Sequence, residues 1–142
     1  QYLLARGLAT ALVGFTSTPA NVYLGLDTRA SLAEADTLVQ VSGEPTTGGY
    51  ARIAISTGGT GAAGQDFVSS QVTGAYRLTS KTCTFTHNTS GASWTGMLNM
   101  FLGTVSTGTS GLLLCSVALS TSRTLANTGE SLATTIYVGL SE

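Results

Sequence analysis

Charged side chains are scarce in this sequence of 142 residues. Lys and Arg (6) and Asp and Glu (7) amount to 9% of the chain, and the net charge is −1, whereas globular domains carry about 25% charged residues. Proteins that bind duplex nucleic acid need a basic face that releases phosphate counterions, and six scattered cations do not form one. Disordered chains combine high charge with low hydrophobicity, but 42% of this sequence is hydrophobic. The composition therefore excludes disorder and predicts no nucleic-acid partner.

Side chains that commonly carry chemistry are also few. One histidine, His87, and two cysteines, Cys83 and Cys115, give too few ligands for a zinc site and too few thiols for a disulfide framework. We expect both cysteines to be buried thiols, with a disulfide between them as the alternative. His87 has no carboxylate near it in sequence, and no G-x-S-x-G elbow presents a serine. The sequence therefore predicts no catalytic residue and no metal site, which favours a protein that is not an enzyme.

Two further patterns are incomplete. Residues 59–64 match the G-x-G-x-x-G motif of dinucleotide-binding proteins, but a strand-like segment follows instead of a helix, and no acidic residue stands about 20 positions further on. We therefore expect a loop there and no cofactor. No run approaches the ~18 apolar residues of a membrane span, so we expect no membrane insertion.

Small polar residues take the place of charge. The chain has 24 Thr, 16 Ser and 18 Gly, together 58 of 142 positions. A net charge near zero promotes association. A surface made of Thr, Ser and Gly therefore indicates a protein that contacts other copies of itself or other proteins.

The N-terminal residues have the period of a helix. Leu4, Leu8, Leu12 and Phe15 recur at spacings of four, four and three, which places them on one face of an amphipathic α-helix. We call these four residues the N-terminal stripe and expect them to form an assembly interface between subunits. The predicted domain organisation is a helical arm over residues 1–18 and a β-sandwich domain over residues 19–142.

From residue 20 onward the patterns indicate short strands separated by Gly, Ser and Thr turns, which is typical of a sandwich or a barrel. An extended stretch includes Val39–Gly43. Leu112–Leu114 is apolar on both faces, so that strand is expected to be central or to lie at a subunit contact. The predicted strands are Asn21–Asp27, Tyr50–Ser56, Phe67–Val72, Tyr76–Leu78, Thr82–His87, Thr95–Leu102, Leu112–Leu119 and Thr134–Leu140.

One turn is singled out by its glycines. Gly48 and Gly49 allow positive φ angles at a tight turn just before a strand start. Tyr50 is then expected to cover an edge of the core, and Arg52 to point the other way towards a carboxylate or backbone carbonyls.

Two aromatic rings are candidate contacts for a sugar. Tyr76 and Trp94 would stack on glycans if they were exposed, and a core position is the alternative for Trp94.

The order of the segments carries a family resemblance. Its clearest pieces are P-A-N-V-Y-L-G-L-D-T (19–28), G-G-Y-A-R (48–52) and A-N-T-G-E-S-L (126–132). In this order and spacing, and over nearly the whole chain, the sequence resembles a family of small tailed-bacteriophage virion proteins that includes tail fibre, head-decorating and neck proteins. The resemblance implies an antiparallel jelly-roll-type β-sandwich that assembles as a trimer.

The sequence thus predicts a non-enzymatic virion structural protein, located in the phage particle and assembled in the host cytoplasm. The preferred role is a trimeric capsid decoration (cement) protein, whose partners are itself and capsid or other virion proteins. The alternative is a tail fibre, neck fibre or baseplate module that binds a host receptor or surface glycan.

Overall fold

The computed structural model describes residues 19–33, 35–58, 62–72, 75–88 and 92–139. Nine strands lie in these ranges: Asn21–Asp27 (β1), Ile53–Ser56 (β2), Phe67–Val72 (β3), Ala75–Ser80 (β4), Cys83–Thr86 (β5), Trp94–Gly103 (β6), Leu113–Leu125 (β7), Ser131–Thr134 (β8) and Tyr137–Gly139 (β9). Every strand pair found there is antiparallel, so the prediction of an all-β antiparallel fold is confirmed. No helix in these ranges has the length and apolar character needed to cross a membrane.

The strands form three sheets, with the orders β2-β1-β6-β7, β3-β4-β9 and β5-β8. The jelly-roll arrangement stays a prediction. The predicted N-terminal helix and its stripe fall in residues 1–18, outside the described residues, so the division into an arm and a domain also stays a prediction.

The second half of β6, residues 99–103, is buried on both faces, because the four-stranded sheet has apolar clusters on both sides. Met100 and Leu102 point into the main cluster, and Phe101 points into a second cluster on the opposite face. The main cluster joins the sheet to β5 and to the end of β7; its buried members are Val22, Leu24, Leu26, Ile55, Cys83, Phe85, Trp94, Met97, Met100, Leu102 and Leu125.

The second cluster corrects one prediction. Val39–Gly43 was expected to be extended, but Leu38–Gln40 forms a 3-10 helix. Thr37 caps it, since its Oγ1 accepts a bond from the Val39 amide at 3.3 Å while the Gln40 Oε1 accepts one from the Thr37 amide at 2.8 Å. These local bonds favour a turn, which buries Leu38 completely against Phe101 and its neighbours.

Several strand bounds also differ from the predictions. The strand expected to start at Tyr50 begins only at Ile53, so Tyr50 and Arg52 lie in the segment before it. The single strand expected at Thr134–Leu140 is divided: β8 pairs with β5, whereas β9 pairs with β4, and the break at 135–136 lies where Ile136 bonds with Ser80. Strand β7 continues to Leu125, beyond its predicted end at Leu119. Residues 120–124 have no apolar alternation, and they are extended because β7 pairs with the start of β6.

Candidate functional site

An apolar cleft of about 820 Å³ lies beside the first half of β7. It is lined by residues 100–102 of β6, 113–117 of β7 and 134–138, together with Leu24, Leu32, Ala33 and Asp36. We call this feature the β7 cleft.

The strand register explains the apolar walls. Met100 lies opposite Val117 and Leu102 lies opposite Cys115, so these side chains share one face of the sheet. The strand containing Leu112–Leu114 was expected to be central or to lie at a subunit contact. Strand β7 is the last strand in the order of its sheet, so the prediction of a central strand is wrong. The apolar residues of this strand therefore reach a sheet edge.

The cleft leaves large apolar side chains in water. Val117 is 63% exposed and Tyr137 is 59% exposed. Over Tyr137, the guanidinium carbon of Arg77 lies 4.6 Å from the ring centroid, a cation–π contact that holds the ring in place. Large apolar groups kept at a surface indicate a contact site for protein.

Charge contributes little to the cleft. Asp36 is the charged side chain in its lining, and its carboxylate is already engaged: Oδ2 lies 3.5 Å from Arg29 Nη2 and accepts a 2.8 Å bond from the Ala33 amide. The cleft is therefore suited to an apolar partner and not to a phosphate or another anion.

A second group of residues, Glu44, Tyr50 and Arg52, holds loops onto the sheet. Glu44 Oε1 accepts bonds from the Tyr50 hydroxyl (2.8 Å) and from Arg52 Nε (2.9 Å), and its Oε2 accepts one from Arg52 Nη2 (2.5 Å). Arg52 also donates to the carbonyls of Val105 and Gly108, both at 2.9 Å. The guanidinium thus fixes the loop between β6 and β7, which leads into the cleft wall.

The protonation of this group is fixed by its surroundings. Burial, reinforced by the neighbouring Glu44 charge, raises the pKa of Tyr50 far above its usual range. The hydrogen bonds that Arg52 donates to Glu44 raise the pKa of Arg52, outweighing the opposite effect of its burial. The hydroxyl of Tyr50 therefore stays protonated, and it also accepts a 2.8 Å bond from the buried Leu26 amide.

Gly48 and Gly49 have φ angles of 66° and 75°. A Cβ on Gly48 would stand 2.5 Å from Trp94 Nε1 and 2.6 Å from His87 Cδ2, so this turn needs glycine for space as well as for conformation.

Trp94 is 2% exposed, so it lies in the core and not in the exposed position that stacking on a sugar would need. Its indole donates a 2.8 Å bond to the Thr47 carbonyl and packs edge-on against the rings of Tyr50 and His87, with centroids 5.5 Å apart in each pair. His87 itself is buried, and its Nε2 lies 2.8 Å from the Ala92 carbonyl. These rings serve the core and not a sugar site.

Other predicted residues fall partly outside what the structure describes. The N-terminal stripe lies within residues 1–18, and of Tyr76 only the backbone is described, opposite Gln71 in the β3–β4 pair. Cys83 is a buried thiol and Cys115 a half-buried one, so the alternative of a disulfide is not formed. In the described ranges no three His, Cys, Asp or Glu side chains gather as a metal site.

Sequence reasoning did not identify three residues of these sites. Glu44 stands in a turn cluster with no motif around it, and only the fold brings it to Tyr50 and Arg52. Val117 and Tyr137 become neighbours of one cleft only because β9 joins a different sheet from β8. The apolar run at Leu112–Leu114 was the one signal that pointed to this surface.

The sequence matches a known protein family over nearly its whole length. Residues 3–140 match the family described as podophage GP4 fiber I protein gp80. The chain belongs to this family. It is therefore a structural protein of the bacteriophage virion, which associates with other virion components. No curated protein matches the chain.

Proposed function

We propose that this protein is a non-enzymatic subunit of a phage fibre that acts by assembling, as a homotrimer, with itself and with neighbouring virion proteins. The observation that carries the proposal is the match of residues 3–140 to a phage fibre family. This description favours the fibre role that the sequence left as the alternative. Capsid decoration and assembly in the host cytoplasm stay predictions.

The surface supports an assembly role. Charged residues are 9% of the sequence, and the β7 cleft presents exposed apolar side chains with one acidic residue that is already paired. Low charge reduces the repulsion between copies, and exposed apolar area gives them a contact. Such a surface fits permanent protein contacts better than contact with bulk water.

The titratable side chains support the absence of catalysis. Glu44 and Arg52 bind each other and the loops around them, and His87 is buried against Trp94. These groups are engaged in holding the fold. Incubation with purified host envelope polysaccharide tests the point: release of fragments by the wild-type protein would contradict it.

The number of copies per particle tests the fibre role. Purified virions would be measured by quantitative mass spectrometry with the major capsid protein as internal standard, and the protein located by immunogold labelling. A fibre subunit is expected in a few to a few dozen copies at the tail or neck. Hundreds of copies spread over the head would instead establish decoration.

A further inference from the structure

We propose that the N-terminal stripe of one copy binds in the β7 cleft of a neighbouring copy. The inference rests on the proposed self-assembly and deepens it by naming the two surfaces that meet. The stripe is Leu4, Leu8, Leu12 and Phe15, and the cleft is lined on its β7 side by residues 113–117.

The two surfaces fit in character. The cleft is apolar and holds Val117 and Tyr137 more than half exposed. The stripe is the apolar face of an amphipathic segment, and such faces bind in apolar grooves through residues spaced by three and four positions. Arg6 is the one charged side chain before residue 19, and its position falls on the polar side of the helical pattern.

They also fit in length. From Leu4 to Phe15 a helix rises about 17 Å, at 1.5 Å per residue. From Leu113 to Val117 a strand runs about 14 Å, at about 3.4 Å per residue. A helix over residues 4–15, as their spacing predicts, would therefore be about as long as the β7 side of the cleft.

The N-terminal arm joins the domain at the end of the sheet where the β7 wall of the cleft begins. The Pro19 carbonyl accepts a bond from the Thr57 hydroxyl, and the Ala20 carbonyl accepts one from the Thr57 amide at 3.0 Å. Across the sheet, Tyr23 lies opposite Gly103, which lies opposite Leu113. The starts of β1 and β7 thus lie at one end of the sheet, two strand spacings or about 10 Å apart.

Because the proposed function requires contact between copies, we assign the arm in each cleft to a neighbouring copy. In the described ranges the large apolar side chains that are exposed are Val39, Leu112, Val117 and Tyr137. An arm bound in its own cleft would cover Val117 and Tyr137 and leave less exposed apolar surface for contact between copies. Exchange of one segment between identical copies needs no new surface and closes into a ring such as a trimer.

Disulfide trapping in the full chain tests the contact. Leu8→Cys places a thiol on the stripe, and Cys115 already lines the cleft, whereas Cys83 is 1% exposed and protected from reaction. Thr10→Cys, on the polar side of the same helical pattern, is the matched control. After mild oxidation, we expect Leu8→Cys to give covalent dimers and trimers on a non-reducing gel, joined between positions 8 and 115, and Thr10→Cys to give few or none.

Three results would overturn the proposal. An 8–115 disulfide within single chains would show that each arm binds its own cleft. If native mass spectrometry shows an oligomer but the 8–115 disulfide does not exceed the level of the control, this contact is rejected and the proposed function is not. A monomer at all concentrations tested would reject both.

A second pair of variants tests the cleft side. Val117 and Val39 are both 63% exposed, but only Val117 lines the cleft, so Val117→Asp and Val39→Asp make equal changes in charge at equal exposure. We expect Val117→Asp to lose the oligomer with an unchanged circular dichroism spectrum, and Val39→Asp to keep it. Equal oligomerisation of the two variants would contradict the inference.

Discussion

Replacing Tyr50 by Phe removes a single hydroxyl that joins two parts of the fold. That oxygen donates to Glu44 Oε1 and accepts from the Leu26 amide, both at 2.8 Å. The ring itself is retained, so its packing on Phe85 and Trp94 is unchanged. The variant therefore isolates the contribution of the two hydrogen bonds.

The expected cost follows from what is left without a partner. Leu26 is completely buried, and an orphaned buried amide costs about 1–3 kcal/mol. Glu44 keeps its bonds to Arg52 and loses little. We expect the free energy of unfolding to fall by about 2 kcal/mol, which lowers Tm by roughly 6–10 °C for a domain of this size.

Urea unfolding followed by fluorescence measures this directly. Trp94 is the single tryptophan of the sequence, and its ring centroid lies 5.5 Å from that of Tyr50, so it reports on this region. The m-value should stay constant, since the surface exposed on unfolding does not change. Both proteins must be compared at one concentration because association shifts apparent stability.

Tyr137→Phe is the matched control, the same chemical change on a ring that is 59% exposed. We expect it to stay within about 0.5 kcal/mol of wild type. If Tyr50→Phe also stays within that margin, the hydroxyl does not hold the fold together and the reasoning is refuted.

Three further results are expected. Gly48→Ala should destabilise the fold by more than about 2 kcal/mol, because it combines a positive φ with a Cβ placed 2.5 Å from Trp94 Nε1. Gly64→Ala is the control, since Gly64 has a φ of 85° but no atom lies within 4 Å of an added Cβ; it should cost only about 1 kcal/mol in the same unfolding assay. Because the pKa of Tyr50 is raised in the folded state, the unfolded chain loses this proton first as the pH rises. Above about pH 10, the free energy of unfolding should therefore fall more steeply in wild type than in Tyr50→Phe, by up to about 1.4 kcal/mol per pH unit. Unfolding measured between about pH 9 and about pH 11 tests this, and parallel pH curves for the two proteins would contradict it. Oligomerisation should depend weakly on salt, since few charges are available to screen, and a steep loss of oligomer between low and moderate salt in light scattering would argue against an apolar interface.

Strand positions were predictable where side chains alternate. In Val22, Leu24 and Leu26, and in Cys83 and Phe85, every second residue is apolar, and each run is a strand with those residues buried. The alternation follows from the pleat, which sends successive side chains to opposite faces. This signal is local, so the sequence alone contains it.

Pairing was not predictable in the same way. Residues 120–125 carry no alternation and become a strand only because they lie beside the start of β6. The break between β8 and β9 arises because the two strands pair with β5 and β4, which lie far earlier in the chain. The 3-10 helix at Leu38–Gln40 differs, because its capping bonds between Thr37 and Gln40 are local, and only the burial of Leu38 against Phe101 depends on a residue far along the chain.

For the candidate site, four features were visible in the sequence: scarce charge, an apolar stripe at helical spacing, an apolar run at Leu112–Leu114 and the glycine turn before Tyr50. The folded structure adds that this run lies at a sheet edge, that Tyr137 joins Val117 in one cleft, and that Glu44 binds Arg52. Composition and periodicity act between near neighbours in the chain, whereas a cleft lined by residues from Leu24 to Val138 exists only once distant segments have paired and packed.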